Sequence, residues 1–232
     1  MVVFERLRQL IQSPAILMEV AMQHDITKLC ADSLRQTTLE KYSIKLKPSH
    51  AHELVARFFG YSSKNAMLAD NIAPISNLNK AKNIVTIDDA LIDQRRQCLQ
   101  GLPADLPDSY TLGEAVYTPL FSDEFWASDY PPFRSVKALA KHLVESSDSY
   151  QAVFGVFNIP YEHIVDAKTT DNELTLKVSH CYKVSEQEMS VNGVTTIRLP
   201  RVAGHIGYGE PDISVVRLSG QASGTIKLKG AA

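Results

Sequence analysis

The chain has 232 residues, of which 44% are apolar and 22% charged, and its formal net charge is −2 at pH 7. This composition is typical of a globular protein and excludes wholesale disorder and a uniformly basic nucleic-acid coat. No stretch approaches the about 18 uninterrupted apolar residues of a transmembrane helix, so we expect no membrane partner.

The N-terminus and the cysteines favour a cytoplasmic protein. Charged residues interrupt the first apolar stretch, at Glu5, Arg6 and Arg8, so we expect no signal peptide. Three scattered cysteines without paired spacing favour a reducing compartment over a disulfide scaffold: Cys30, Cys98 and Cys181. Residues 1–100 carry 13 Lys and Arg against 10 Asp and Glu, and the remainder carries 11 against 16, so a polyanion should prefer the first half.

The first 47 residues change their hydrophobic period once. Apolar residues recur at helical spacing over residues 3–11 and again over 16–34, and the second helical pattern fades at the polar run 36–38. Residues 41–47 (KYSIKLK) then alternate polar and apolar side chains. This alternation predicts a strand with one buried and one exposed face.

Two helices are predicted directly after this strand. Pro48 suits the first turn of a helix that continues over 49–59, and Gly60 is the expected helix-ending residue. Ser62 or Ser63 is expected to cap a further short helix. A linker over 72–87 and a helix over 88–99 follow.

The second half is predicted to be irregular first and β-rich later. Residues 101–133 contain several prolines and aromatic residues, which indicate irregular but ordered chain before a short helix over 135–144. Asn192–Gly193 suits a tight hairpin turn. The predicted strands cover 152–157, 173–184, 188–191, 194–199, 213–218 and 225–228.

A single strand followed by two helices needs a partner strand for its backbone hydrogen-bonding groups. The same strand of a second copy would supply one, which predicts a homodimer with a two-stranded antiparallel ribbon. Residues 41–71 resemble a ribbon-helix-helix DNA-binding domain, through "KYSIKLKP", "HAHELVARFF" and "GYSSKNA". In that family such a ribbon enters the major groove of double-stranded DNA.

The resemblance implies roles for individual residues. The predicted dimer core consists of Tyr42, Ile44 and Leu46 of the ribbon with Leu54 and Phe58 of the helix. The outward residues Lys41, Ser43, Lys45 and Lys47 would contact DNA, and the last three are the candidate base readers. Ser62, Ser63 and Lys64 would anchor a phosphate at the second helix, whereas Arg57 is expected to matter less.

Two further resemblances concern the same region. The segment "SHAHELVARFFGYSSKNAML" is similar to a helical segment of glyoxalase-related proteins, which implies helix-turn-helix packing but no enzyme chemistry. The overall organisation resembles AcaB-type transcription activators of large conjugative plasmids, which implies an activator that binds a palindromic promoter site. The acidic stretch 101–133 would then meet a basic partner such as an RNA polymerase subunit.

The catalytic alternatives are weaker. His50 and His52 point in different directions on a helix. A zinc site built from His163, His180, Cys181 and His205 has no standard spacing, so structural histidines are favoured. The stretch "GHIGYGEP" at 204–211 lacks the context of a phosphate loop and indicates a bend between strands. No enzyme activity, cofactor or metal is predicted.

These patterns predict an α+β fold, with a helical N-terminal half that embeds a ribbon-helix-helix-like element and a β-rich C-terminal half. The expected regions are 1–71, with the DNA-binding element at 41–71, then 72–100 and 101–232. The predicted function is sequence-specific binding of double-stranded DNA by a homodimeric transcriptional regulator. The alternative is a non-enzymatic protein-protein interaction module that does not bind DNA.

Overall fold

A computed structural model of the chain describes residues 26–121, 132–155, 162–183 and 190–218. The chain divides into two compact units. The helical unit contains the described residues up to Pro132 together with Val202–Gly207, and the sheet unit contains Phe133–Arg201 and the residues from Tyr208 onward. The predicted helix over 3–11 and the predicted strand over 225–228 lie outside the described residues.

The first three described helices of the helical unit are α1 (Ile26–Tyr42), α2 (Pro48–Phe58) and α3 (Lys64–Leu68). Pro48 starts α2, Gly60 follows its end with a φ of +87°, and the Ser63 hydroxyl caps α3 by accepting the Ala66 N–H at 3.0 Å. These three predictions are confirmed. Each of these residues meets a local requirement of a helix end: proline suits the first turn, glycine adopts the left-handed conformation after the last turn, and serine caps a free N–H.

Two further helices of this unit are α4 (Asp89–Arg96) and α5 (Ser109–Tyr117), and 3-10 helices cover Ile75–Lys80 and Thr118–Phe121. The helix predicted over 88–99 is confirmed over Asp89–Arg96, and the Asp88 carboxylate caps it by accepting the Ala90 N–H at 2.8 Å. The expectation of irregular chain over 101–133 is wrong for residues 109–121, which are helical. Asp108 caps α5 by accepting the Thr111 N–H at 2.9 Å, and the apolar face of α5 is buried in the core.

A short turn from later in the chain also belongs to the helical unit. His205 N–H donates to the Phe59 carbonyl at 3.1 Å, and Gly204 N–H donates to the Ala73 carbonyl at 2.8 Å. Gly204 has a φ of +54°. Residues 204–206 of the glycine-rich stretch are therefore a bend between two strands, as predicted.

The described residues of the sheet unit form the helices α6 (Val136–Glu145) and α7 (Asp148–Phe154), each capped by the serine before it. The helix predicted over 135–144 is confirmed as α6. The strand predicted over 152–157 is wrong, because residues 152–154 end α7. Ser147 accepts the Tyr150 N–H at 3.3 Å and fixes the start of this helix.

The strands among the described residues are β1 (Asn83–Ile84), β2 (Glu162–Thr169), β3 (Glu173–Lys183), β4 (Ser190–Ala203), β5 (Gly207–Tyr208) and β6 (Asp212–Leu218). In the sheet unit the antiparallel order is β2-β3-β4-β6. Val178 lies opposite Val165 and Thr195, and Thr195 lies opposite Val215. Alternate residues of β3 and β4 are buried, which is the period of a sheet with one covered face.

The predicted hairpin turn at Asn192–Gly193 is wrong, because both residues lie inside β4. The two strands predicted around it are one strand, opposite β3 on one side and β6 on the other. A Cβ at Gly193 would overlap the ring of Phe154. Glycine is therefore needed here for close packing and not for a turn.

The α+β fold class is confirmed, with helices in the N-terminal part and an antiparallel sheet in the C-terminal part. Across the described ranges, no helix has both the length and the apolar character to cross a bilayer.

Candidate nucleic-acid interface

The strand predicted over 41–47 is absent, and its first two residues belong to a helix. Lys41 and Tyr42 form the last turn of α1. Ser43 follows with a φ of +58°, and its N–H donates to the Leu39 carbonyl at 3.0 Å. This is a left-handed helix C-cap, a position that glycine or asparagine usually occupies.

Residues 44–47 form an extended connection to α2. Ile44 and Leu46 are buried in the core of the helical unit, and the intervening Lys45 is exposed. Arg35 Nε donates to the Leu46 carbonyl at 3.3 Å, so a side chain takes the place of a partner strand. The alternation of the sequence thus describes which side chains are buried, while the inference of a paired ribbon is wrong.

The residues assigned to a dimer core lie elsewhere in this structure. Leu54 and Phe58 are fully buried inside their own helical unit, where the Phe58 ring contacts the Tyr117 ring edge-on at a centroid distance of 5.7 Å. Tyr42 is 39% exposed. With Ile44 and Leu46 also buried, four of the five assigned residues stabilise the fold of one chain.

The outward residues of the segment remain exposed. Lys41, Lys45 and Lys47 are all exposed, and within the described ranges none of them has a hydrogen bond or ion pair through its side chain. We call these three residues the lysine segment. Its backbone is held by the Ser43 cap and by the two buried side chains between the lysines.

The predicted phosphate anchor at the second helix is already occupied by internal acceptors. Ser63 caps α3, and the Lys64 N–H donates to Glu53 Oε2 at 3.1 Å. A carboxylate at this position opposes an incoming phosphate. Ser62 is exposed, and α3 has only five residues.

A second group of basic side chains lies on α2 and α4. His50 and Arg57 are on α2, and Arg95 is in the last turn of α4. Arg57 Nε, Arg95 Nη1 and His50 Nδ1 are buried and have no hydrogen-bond partner among the described residues. The sequence signal was the seven-residue spacing of His50 and Arg57, which places both on one helix face.

Two histidines of the zinc site considered from the sequence have other partners in the parts of the chain that the structure describes. No group of three or more His, Cys, Asp and Glu side chains there has the arrangement of a metal site. His180 is buried in the sheet unit, 2.8 Å from the Thr195 hydroxyl. His205 packs edge-on against Tyr61 in the helical unit, at a ring-centroid distance of 5.1 Å.

Comparisons of the chain with protein-family models, with curated proteins and with solved structures find no match.

Proposed function

We propose that this protein binds double-stranded DNA through the lysine segment, with the three ammonium groups contacting backbone phosphates. The observation that carries the proposal is that Lys41, Lys45 and Lys47 are exposed and unpaired in the described structure. Between them Ser43 forms a helix cap and Ile44 and Leu46 are buried, so local contacts support the backbone of the segment.

Phosphate contact is favoured over base reading because the segment is not a strand. A connection between two helices does not present the regular row of side chains with which a ribbon reads the major groove. Ammonium groups attract phosphates irrespective of sequence and release condensed counterions. Such contacts position a protein on the duplex and carry no sequence information directly.

The regulatory part of the proposal rests on the resemblances of the sequence. These imply a transcription activator that acts as a homodimer at a palindromic promoter site and contacts RNA polymerase. Selection of bound fragments from a random duplex pool tests this part. Enrichment of an inverted repeat supports a symmetric dimer, and the absence of any enriched sequence limits the function to non-specific binding.

The phosphate contacts are tested by fluorescence anisotropy with a labelled duplex at several salt concentrations. The variant Lys45→Gln/Lys47→Gln is compared with Lys80→Gln/Lys82→Gln, which removes two other exposed lysines of the same unit. We expect the first variant to weaken binding and to reduce the slope of log K against log salt by about 0.9 for each lost phosphate contact. The control should retain the wild-type slope. Equal effects in both variants, or no binding by the wild type, would contradict the proposal.

A protein-protein interaction module is the second candidate. It is favoured by the burial of Ile44, Leu46, Leu54 and Phe58 within one chain, because the helical unit then needs no second copy to complete its core. Size-exclusion chromatography with light scattering separates the two. A monomer that does not bind DNA would support this candidate.

A further inference from the structure

Three basic side chains of the helical unit lack an ion-pair partner among the residues that the structure describes. Arg57 lies in the last turn of α2 and Arg95 in the last turn of α4, and these two helices pack against each other. Both side chains are partly buried, and neither forms an ion pair or side-chain hydrogen bond with a described residue.

His50 lies on the same side of α2 as Arg57. The two residues are seven apart, which is about two helical turns and returns to nearly the same face. Helical side chains generally lean toward the N-terminus, a direction that favours an approach of Arg57 to His50. The segment after α4 also lies close to His50, because a Cβ at Gly101 would be 3.7 Å from Cε1 of the His50 ring.

The nearby carboxylates are engaged elsewhere. Asp93 Oδ1 accepts hydrogen bonds from Arg96 at 3.0 Å and from the Ser109 hydroxyl at 2.6 Å. Glu53 is one turn from Arg57, yet its Oε2 accepts the Lys64 N–H. Burial, and next the positive charge of Arg57, lower the pKa of Arg95. The two guanidinium groups therefore repel each other in a partly desolvated place.

We propose that Arg57, Arg95 and His50 form a binding site for a phosphate group. Guanidinium groups bind oxyanions through paired N–H donors, and two of them match the charge of a phosphate monoester. An imidazole N–H of His50 adds a further donor. The group can belong to a free phosphorylated small molecule or to a nucleic acid, and the site does not depend on the lysine segment.

The test uses the full chain and inorganic phosphate. Thermal unfolding is measured in increasing phosphate against chloride of equal ionic strength, for the wild type, Arg57→Gln, Arg95→Gln and the exposed-lysine control Lys82→Gln. A ligand that binds the folded state raises the unfolding temperature. We expect phosphate to stabilise the wild type and the control, and each arginine variant to weaken phosphate binding at least about tenfold.

The phosphate-free samples and a conservative variant keep the result interpretable. Arg95→Gln should unfold at no lower temperature than the wild type without phosphate, because it removes the repulsion from Arg57. If it does not fold, Arg95→Lys keeps the charge but loses the paired donors, and weaker phosphate binding is again expected. Equal stabilisation by phosphate and chloride, or unchanged phosphate binding in the arginine variants, would overturn the proposal.

Measuring the affinity of the same variants for a DNA duplex distinguishes a nucleic-acid phosphate from the phosphate of a free small molecule. A parallel loss of DNA affinity assigns the site to the nucleic-acid backbone. Unchanged DNA affinity together with lost binding of inorganic phosphate assigns it to a free phosphorylated ligand. Because the lysine-segment variants keep Arg57 and Arg95, failure of the proposed DNA function leaves the phosphate titration unaffected.

Discussion

Replacement of Ser43 by glycine should stabilise the protein if residues 41–47 are a helix cap and connection, and should destabilise it if they are a strand. The left-handed backbone at φ +58° costs a residue with a Cβ about 1–2 kcal/mol, and glycine avoids this cost. The greater freedom of glycine in the unfolded chain opposes the gain by about 0.4–1 kcal/mol. The exposed Ser43 side chain forms no hydrogen bond with a described residue, so nothing else is lost. The net expectation is a gain of about 0.5–1 kcal/mol.

Urea unfolding followed by circular dichroism measures this difference as a shift of the midpoint at constant slope. The matched control is Ser49→Gly, the same substitution at an exposed position in the first turn of α2. Glycine there should cost about 0.5 kcal/mol. A strand interior would also lose about 0.5–1 kcal/mol with glycine at position 43. A lower midpoint for Ser43→Gly would therefore refute the assignment of a left-handed cap.

Two other predictions concern the helical unit. In the same urea assay, Gly60→Ala should lower the free energy of unfolding by about 2–4 kcal/mol, because φ is +87° and the new Cβ would lie 2.5 Å from His205 Cβ. The control Gly101→Ala, at φ +76° with only ordinary contacts, should lower it by about 1 kcal/mol. Equal losses in the two variants would show that His205 moves aside at no cost. Burial raises the pKa of Cys30 to about 12, whereas Cys98 and Cys181 are exposed. A thiol reagent at pH 8 should therefore modify Cys98 and Cys181 of the folded chain quickly and Cys30 only in urea. Fast reaction of all three cysteines in the folded chain would contradict the burial of Cys30.

Local signals predicted the helix ends well. Pro48, Gly60 and Ser63 act within a few residues of themselves, since each satisfies or removes a backbone requirement of its own helix. The α+β class and the helices α2, α4 and α6 followed from such signals. The end of α1 did not, because a serine at φ +58° carries no stop signal that a sequence pattern shows.

The candidate sites depended on distant contacts. The alternation over 41–47 predicted correctly that Ile44 and Leu46 are buried. It did not show that Arg35, eleven residues before Leu46, donates a hydrogen bond to the Leu46 carbonyl of that connection. The proximity of Arg57 and Arg95 also arises only when α2 and α4 pack together.

The sequence alone therefore determined the fold class, the burial of Ile44 and Leu46, and the positions of α2, α4 and α6. Tertiary structure decided which backbone groups pair with one another and which charges come together. The physical reason is the distance along the chain over which each signal acts. Helix caps and hydrophobic periodicity involve residues that are close in sequence. Alternating burial occurs in any extended backbone, so it does not specify which distant group that backbone pairs with. Gly193 is a further example. The sequence predicted a turn there, whereas in the structure Gly193 lies inside β4 and its lack of a Cβ makes room for the Phe154 ring.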